Sequence, residues 1–236
     1  MLSARTALVA GGLVLACGAC GRGPTALPAS ELDPQATFVA HRVHDGFLLD
    51  RLPASDTGIV EPSTWINLSW TPRFRVRTTR GTQGTLRLTS PARVVIDDAE
   101  AEPAGGVAPT WDTGAIHLTL VPAAGPPLRL GPFERIDGSS GYSLLTRNAQ
   151  TSLDVQGTYR ATIRDAHDRQ VGWLQVRIVE ASGDRLFQGV MPDVSPAEHA
   201  GLVLALSSEI DWIENHVLDV HRGTSGRAGG HSRSSK

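Results

Sequence analysis

In the first third of the chain, apolar and polar positions alternate with a period of two. Residues 37–43 and 46–49 are the first ordered-looking runs, ahead of the clear alternation. Residues 63–70 follow, with Ile66, Leu68 and Trp70 on one side and Trp65, Asn67 and Ser69 on the other. Successive residues of a strand point to opposite faces, so the pattern predicts half-buried strands. After Thr71-Pro72 the alternation resumes in Arg73-Phe74-Arg75-Val76-Arg77, with Phe74 and Val76 inward and three arginines outward. Proline is tolerated at such a strand start. Further strands are predicted at 85–89, 93–97, 115–121 and 127–130. Between them, 98–114 is acidic and then rich in Pro, Gly and Ala, and reads as a loop or the seam of a subdomain.

Residues 158–164 alternate cleanly, Asp165-Ala166-His167-Asp168 supplies turn residues, and a return strand is predicted over 170–179. The apolar phase of that strand shifts between Trp173 and Leu174, as a β-bulge or burial on both faces requires. One more strand is expected over 185–191. The clearest helix comes last. Ser195-Pro196-Ala197-Glu198 offers a serine N-cap, a proline at the first helical position and a glutamate able to return the capping bond. Val203, Leu206, Ile210, Ile213, Val217 and Val220 recur at helical spacing, and Gly223 follows as a stop. The stripe predicts a helix packed across the sheet. The expected class is therefore β-rich α+β: mainly an antiparallel sheet or a β-sandwich with one long C-terminal amphipathic helix. The absence of strand–helix alternation excludes a parallel α/β plan.

The N-terminus has a different composition. One arginine, Arg5, precedes an uncharged run over 6–16 rich in Ala, Leu, Val and Gly. At about 1.5 Å per residue this run is too short to cross a hydrocarbon core of roughly 30 Å, and it reads as a secretory signal. It ends in Val14-Leu15-Ala16-Cys17, which resembles the lipobox of bacterial lipoproteins. That resemblance implies acylation at Cys17, with Cys20 as the weaker candidate because Cys17 occupies the position three residues before it. Stable anchoring requires at least two acyl chains or an equivalent second attachment. Gly18 in place of an aspartate implies sorting to the outer membrane, facing the periplasm, although this sequence alone leaves inner and outer membrane open. The expected organisation is a signal peptide over 1–16, a flexible Gly/Pro/Ala/Ser tether over 17–35, one domain over 36–221 ending in helix 196–221, and a disordered basic tail over 222–236.

Charge and chemistry narrow the function classes. The tail carries +4 and the leader +1 in a chain of net −2, so residues 17–221 carry −7. An acidic body argues against nucleic acid as a partner. Beyond Cys20 there is no cysteine, so the body has neither a disulfide nor a thiolate metal site. His41, His44 and Asp45 lie close in sequence, but an odd spacing on a strand sends the two histidines to opposite faces, and no metal is assigned. Gly138-Ser139-Ser140-Gly141 lacks the spacing of a nucleophile elbow, and His117 has no evident acid beside it. The acidic run over 97–102 has none of the ligand pattern of a calcium loop. No phosphate- or dinucleotide-binding glycine pattern occurs, so no cofactor is expected. The densest basic group of the body is Arg73, Arg75 and Arg77, a row suited to forked bonds with carboxylate or phosphate. It is the candidate anionic-ligand face.

Residues 158–220, with a hairpin followed by Gly201-Leu202-Val203-Leu204-Ala205-Leu206-Ser207-Ser208-Glu209-Ile210, resemble the C-terminal part of the auxiliary lipoproteins that serve envelope lipid ABC transporters. The resemblance implies a non-enzymatic accessory subunit. The expectation is an envelope lipoprotein, held to a membrane by its lipid, that binds a protein partner within a transport or secretion complex. Two alternatives stand beside it: a periplasmic inhibitor or immunity lipoprotein, and a lipid-binding protein.

Overall fold

The structure, a computed structural model, describes residues 32–43, 45–53, 56–63, 71–112, 115–137, 157–179 and 184–225. The strands are β1 (Phe38–Val43), β2 (Gly46–Leu52), β3 (Asp56–Pro62), β4 (Arg73–Thr78), β5 (Gly81–Ser90), β6 (Arg93–Asp97), β7 (Pro103–Asp112), β8 (Ala115–Val121), β9 (Leu128–Leu130), β10 (Glu134–Arg135), β11 (Gly157–Arg164), β12 (Gln170–Ile178) and β13 (Arg185–Val190). One helix, α1 (Pro196–Ser225), follows. From β1 to β9, and from β11 to β13, each strand pairs antiparallel with its sequence neighbours. The short β9 and β10 lie end to end against β11, through Leu130↔Ile163 and Glu134↔Arg160. The last strand returns to the first through Phe38↔Gly189 and His41↔Leu186.

The sheet therefore closes into an up-and-down barrel of twelve strand positions. Closure removes the unpaired edges of an open sheet. The expected β-rich antiparallel character with a C-terminal helix holds, but the sheet is neither open nor folded into a sandwich. Inside–outside alternation is identical in a sandwich wall and a barrel wall. What separates them is long-range pairing, here β13 with β1 and β9 with β11, which no local pattern encodes.

The helix is also placed differently from expectation. Instead of lying across one face it runs down the lumen. It packs along β4 to β8 on one side and bonds to β13 and β1 on the other, through Arg185 and Arg42. Leu202, Val203, Leu204, Ala205 and Leu206 are consecutive and all buried, which covers every side of the helix. A helix apolar on all sides belongs in an interior. Twelve strands enclose a wider space than side chains alone fill, and a helix about 10–12 Å across suits it. Gly201 permits the closest approach: a side chain there would meet Cδ1 of Ile96 at 2.9 Å.

The first turn of α1 is locked in place. At its N-terminus, Ser195 N donates to Glu198 Oε2 (2.6 Å) and Glu198 N donates to Ser195 Oγ (3.2 Å), the reciprocal cap anticipated from sequence. The free oxygen Oε1 of Glu198 accepts from Ala123 N (2.7 Å), tying the cap to the segment after β8. The helix continues to Ser225, past the expected stop at Gly223 and into the expected tail.

Besides the two-residue β10, two strands fall where sequence predicted none. β7 occupies the expected loop: its Gly, Ala and Pro residues carry no alternation, yet it pairs with both β6 and β8. At Gly105 (φ 146°) the Val121 carbonyl oxygen lies 2.5 Å from where a Cβ would stand, so only glycine fits. β3, with Gly58 and a terminal proline, is likewise formed by its neighbours. The predicted strand over 63–70 lies, beyond Ser63, outside the described residues. The turn between β11 and β12 is the one anticipated: Asp165 Oδ1 accepts from His167 N (2.8 Å) and Arg169 N (3.0 Å). The Arg169 side chain, with these amides, holds the Asp165 carboxyl down to about 2. The Trp173–Leu174 phase shift reflects burial on both faces. Leu174 faces the lumen core, while Trp173 packs outside on a small cluster of Ala36, Val39 and Leu186.

That outer cluster is covered by the segment leading into β1. Asp33 N donates to Gln188 Oε1 (2.8 Å), Thr37 N to Gly189 O (2.9 Å), and Arg51 Nη1 to Ala36 O (2.7 Å). Residues 32–37 thus form a strap across β13, β1 and β2, the seam where the barrel closes. The expected tether to Gln35 gives way to bound chain at Leu32.

Candidate functional site

The strand pattern sorts most of the strand arginines to the outside. On β4, Val76 is buried while Arg73, Arg75 and Arg77 are exposed. Arg93 on β6, Arg129 on β9, and Arg160 and Arg164 on β11 also lie on the outer wall. An arginine facing bilayer hydrocarbon costs about 2–4 kcal/mol at the midplane, so this wall is built for water. No described helix is long and apolar enough to cross a membrane.

The three arginines predicted as an anionic-ligand face do share one face, but they differ in state. Arg77 Nη2 pairs with Glu61 Oε1 at 2.8 Å, on the neighbouring β3. Arg73 and Arg75 have no ionic or hydrogen-bonding side-chain partner among the described residues. Across the strands, Arg73 stands directly opposite Arg87 of β5. Arg87 itself makes a forked pair with Asp97 of β6, through Nε–Oδ2 (2.7 Å) and Nη2–Oδ1 (2.9 Å). This bond holds the Arg87 guanidinium above its ordinary value, mainly through the hydrogen bond to Asp97. Arg93, at the start of β6, is exposed and has no side-chain partner among the described residues. The face is therefore Arg73, Arg75 and Arg93 around the satisfied Arg87. Sequence reasoning missed Arg93 because it sits on a different strand, and nothing local shows that β4 and β6 flank β5.

The remaining candidates have structural roles or fall outside the described residues. His41 Nδ1 bonds Asp50 on the outer wall, and His44 is not among the described residues. Among the described residues no three His, Cys, Asp or Glu side chains gather as a metal site. His117 is nearly buried on β8 beside Leu118. The acidic run is a turn, with Asp98 Oδ1 accepting from Glu100 N (3.0 Å) and Glu102 N (2.8 Å). Asp56 similarly secures the turn after β4, where Thr79 Oγ1, chief among its donors, keeps its carboxyl below the ordinary range. Residues 138–142 and the lipobox, with Cys17 and Cys20, lie outside the described residues.

Buried charged or titratable side chains on and against the helix include Arg185, His199 and Glu209. Arg185 of β13 is 2% exposed and gives Nη1 to Ser207 O and Oγ, both at 2.8 Å, and Nη2 to Asp211 Oδ1 at 2.8 Å. Arg42 of β1 reaches the same Asp211 oxygen at 2.7 Å. Near the other end of the helix His199 is fully buried against Phe38, ring centroids 5.4 Å apart, with Nε2 directed at Pro192 O at 3.3 Å. Its Nδ1 has no hydrogen-bond partner among the described residues. Burial holds this imidazole neutral, with its pKa lowered to about 4.

No protein-family model, curated protein or solved structure matches the chain.

Proposed function

We propose that the chain is a non-enzymatic, lipid-anchored protein of the bacterial envelope, a rigid barrel that binds a protein partner as an accessory subunit of a transport or secretion complex. The carrying observation is that α1 fills the lumen. Barrels of this kind bind small ligands inside their walls; here that space holds a capped helix with its own buried side chains, and the outer wall remains for recognition. The lipobox ending at Cys17 supplies the anchor, and the chain between Cys17 and the strap at Leu32 supplies the lead to a bilayer. The resemblance of the β11–β12 hairpin and α1 to auxiliary lipoproteins favours an accessory role over a catalytic one.

The test is crosslinked co-purification of the tagged protein from native envelopes, run against Cys17→Ala, with an acyl label followed in parallel. Transport or secretion subunits recovered only with the acylated form support the reading. Recovery of one soluble hydrolase equally with both forms would replace it with an inhibitor.

A further inference from the structure

We infer that the outer face of β4 to β6, through Arg73, Arg75 and Arg93, docks a carboxylate-rich protein surface. The inference rests on the partner-binding reading and names the chemistry of that partner. Among arginines with described side chains, these three alone lack an acceptor or other partner. Elsewhere each guanidinium is matched, from Asp211 for Arg42 to Asp165 for Arg169, and Arg129 and Arg177 are also engaged. A body carrying −7 is not short of carboxylates, yet the two on this face are already committed: Glu61, opposite Arg75 in the ladder, to Arg77, and Asp97 to Arg87.

The arrangement works against the free protein, because like charges directly opposite in a ladder, as Arg73 and Arg87 are, destabilise it. It favours an acidic guest. Arg73 and Arg75 lie about 7 Å apart along β4, and β6 runs about 10 Å away across β5. That spacing offers three guanidinium forks to carboxylates on a partner's helix or strand.

Position selects a protein over the bilayer holding the anchor. The strap enters at the start of β1, and successive strands from β1 to β9 alternate in direction. Even-numbered strands among these therefore begin at the opposite end of the barrel. Arg73 and Arg93 are the first residues of β4 and β6, and β5 between them lies four strands round from β1. The face points away from the tethered end.

The test titrates the full acylated chain, in non-ionic detergent, with a fluorescent glutamate-rich peptide and, separately, with soluble short-chain phosphatidylglycerol. R73Q/R75Q/R93Q is compared with R164Q/R169Q, which removes two arginines that already hold acids. Peptide binding that weakens with salt, falls roughly tenfold in the triple variant and persists in the control is expected, with the triple variant's Tm no lower than the parent's. Equal peptide binding by parent and triple variant, equal loss in both variants, a lowered Tm in the triple variant, or binding of the lipid in preference to the peptide would each overturn the inference. Failure here is read in the titration, whereas failure of the anchored-partner reading is read in the envelope co-purification.

Discussion

The two sides of the barrel treat polar side chains in opposite ways. At the seam of β12, β13, β1 and β2, described polar groups are met from within the chain. Arg160 lies over the Trp173 ring at 4.2 Å and bonds Gln175, Arg51 holds the strap, and Arg185 and Arg42 share Asp211. Apolar residues on the outer wall, Val39 and Leu186, are covered there by residues 32–37. On β4 to β6 the outer wall is mostly polar, and three exposed guanidinium groups have no partner among the described residues. A barrel must secure the seam where its chain ends meet, since nothing else closes the ring. The opposite wall, continuous in sequence, has ion pairs of its own in Arg77–Glu61 and Arg87–Asp97, yet carries more guanidinium groups than these acids engage.

The largest expected effect breaks the seam. Asp211→Ala removes the acid shared by Arg42 and Arg185 and leaves Arg185, 2% exposed, as a buried cation short of its counter-charge. Removing one member of a buried pair costs about 3–5 kcal/mol; Asp211 is itself partly exposed, which places the loss toward the lower figure. Denaturant unfolding should show a large drop in midpoint with little change in slope. Asp211→Asn, which keeps the hydrogen-bond acceptor, should lose less. Wild-type stability in Asp211→Ala would mean that the helix is held by its apolar contacts alone.

A second effect of similar kind sits at the end of the barrel where β1 begins. His199 has its pKa lowered from 6.5 to about 4, chiefly by burial, with the Pro192 carbonyl, Glu198 and Asp193 opposing. The neutral ring is the form the fold accepts, so its contribution is fully present above pH 6.5. It is lost as pH falls from about 6.5 toward 4, where the unfolded chain takes up a proton that the folded one refuses. The shift corresponds to roughly 3 kcal/mol at most. His199→Gln should flatten the stability profile over that window relative to the parent. Equal slopes for the two proteins between pH 7 and 4 would remove His199 as the source.

These locks also show which parts of the fold were legible beforehand. The capping box was readable because Ser195 and Glu198 are three residues apart and the bonds are local. β4 and β11 were readable because Phe74, Val76, Tyr159, Ala161 and Ile163 alternate against arginines and threonines. β7 was not, because glycine and proline carry no alternation and the strand is imposed by β6 and β8. The placement of α1 was half visible. The stripe from Val203 to Ile213 was found, but the unbroken apolar run over 200–206, which no single face accommodates, was the stronger sign of a surrounded helix. Of the outer face, Arg73 and Arg75 could be read on one strand. The pairing of Arg77 with Glu61, the role of Arg93 and the sharing of Asp211 depend on strand order, and strand order is a property of the closed ring.

The smallest effect is the one that most sharpens the contrast, because its sign is reversed. Arg73 and Arg87 are direct cross-strand neighbours, and Asp97 already satisfies Arg87 through both of its oxygens. Arg73→Gln therefore removes a repulsion and no attraction. Like-charge pairs in this position cost on the order of 0.2–1 kcal/mol, screened at physiological salt, so the variant should be more stable than the parent by a few tenths of a kcal/mol. The gain should shrink as salt is raised. Arg160→Gln, at the seam, removes the contact over Trp173 and the bond to Gln175, and should lower stability under the same conditions. If both substitutions destabilise alike, Arg73 supports the barrel as Arg160 does, and the two sides of the wall are not different in kind.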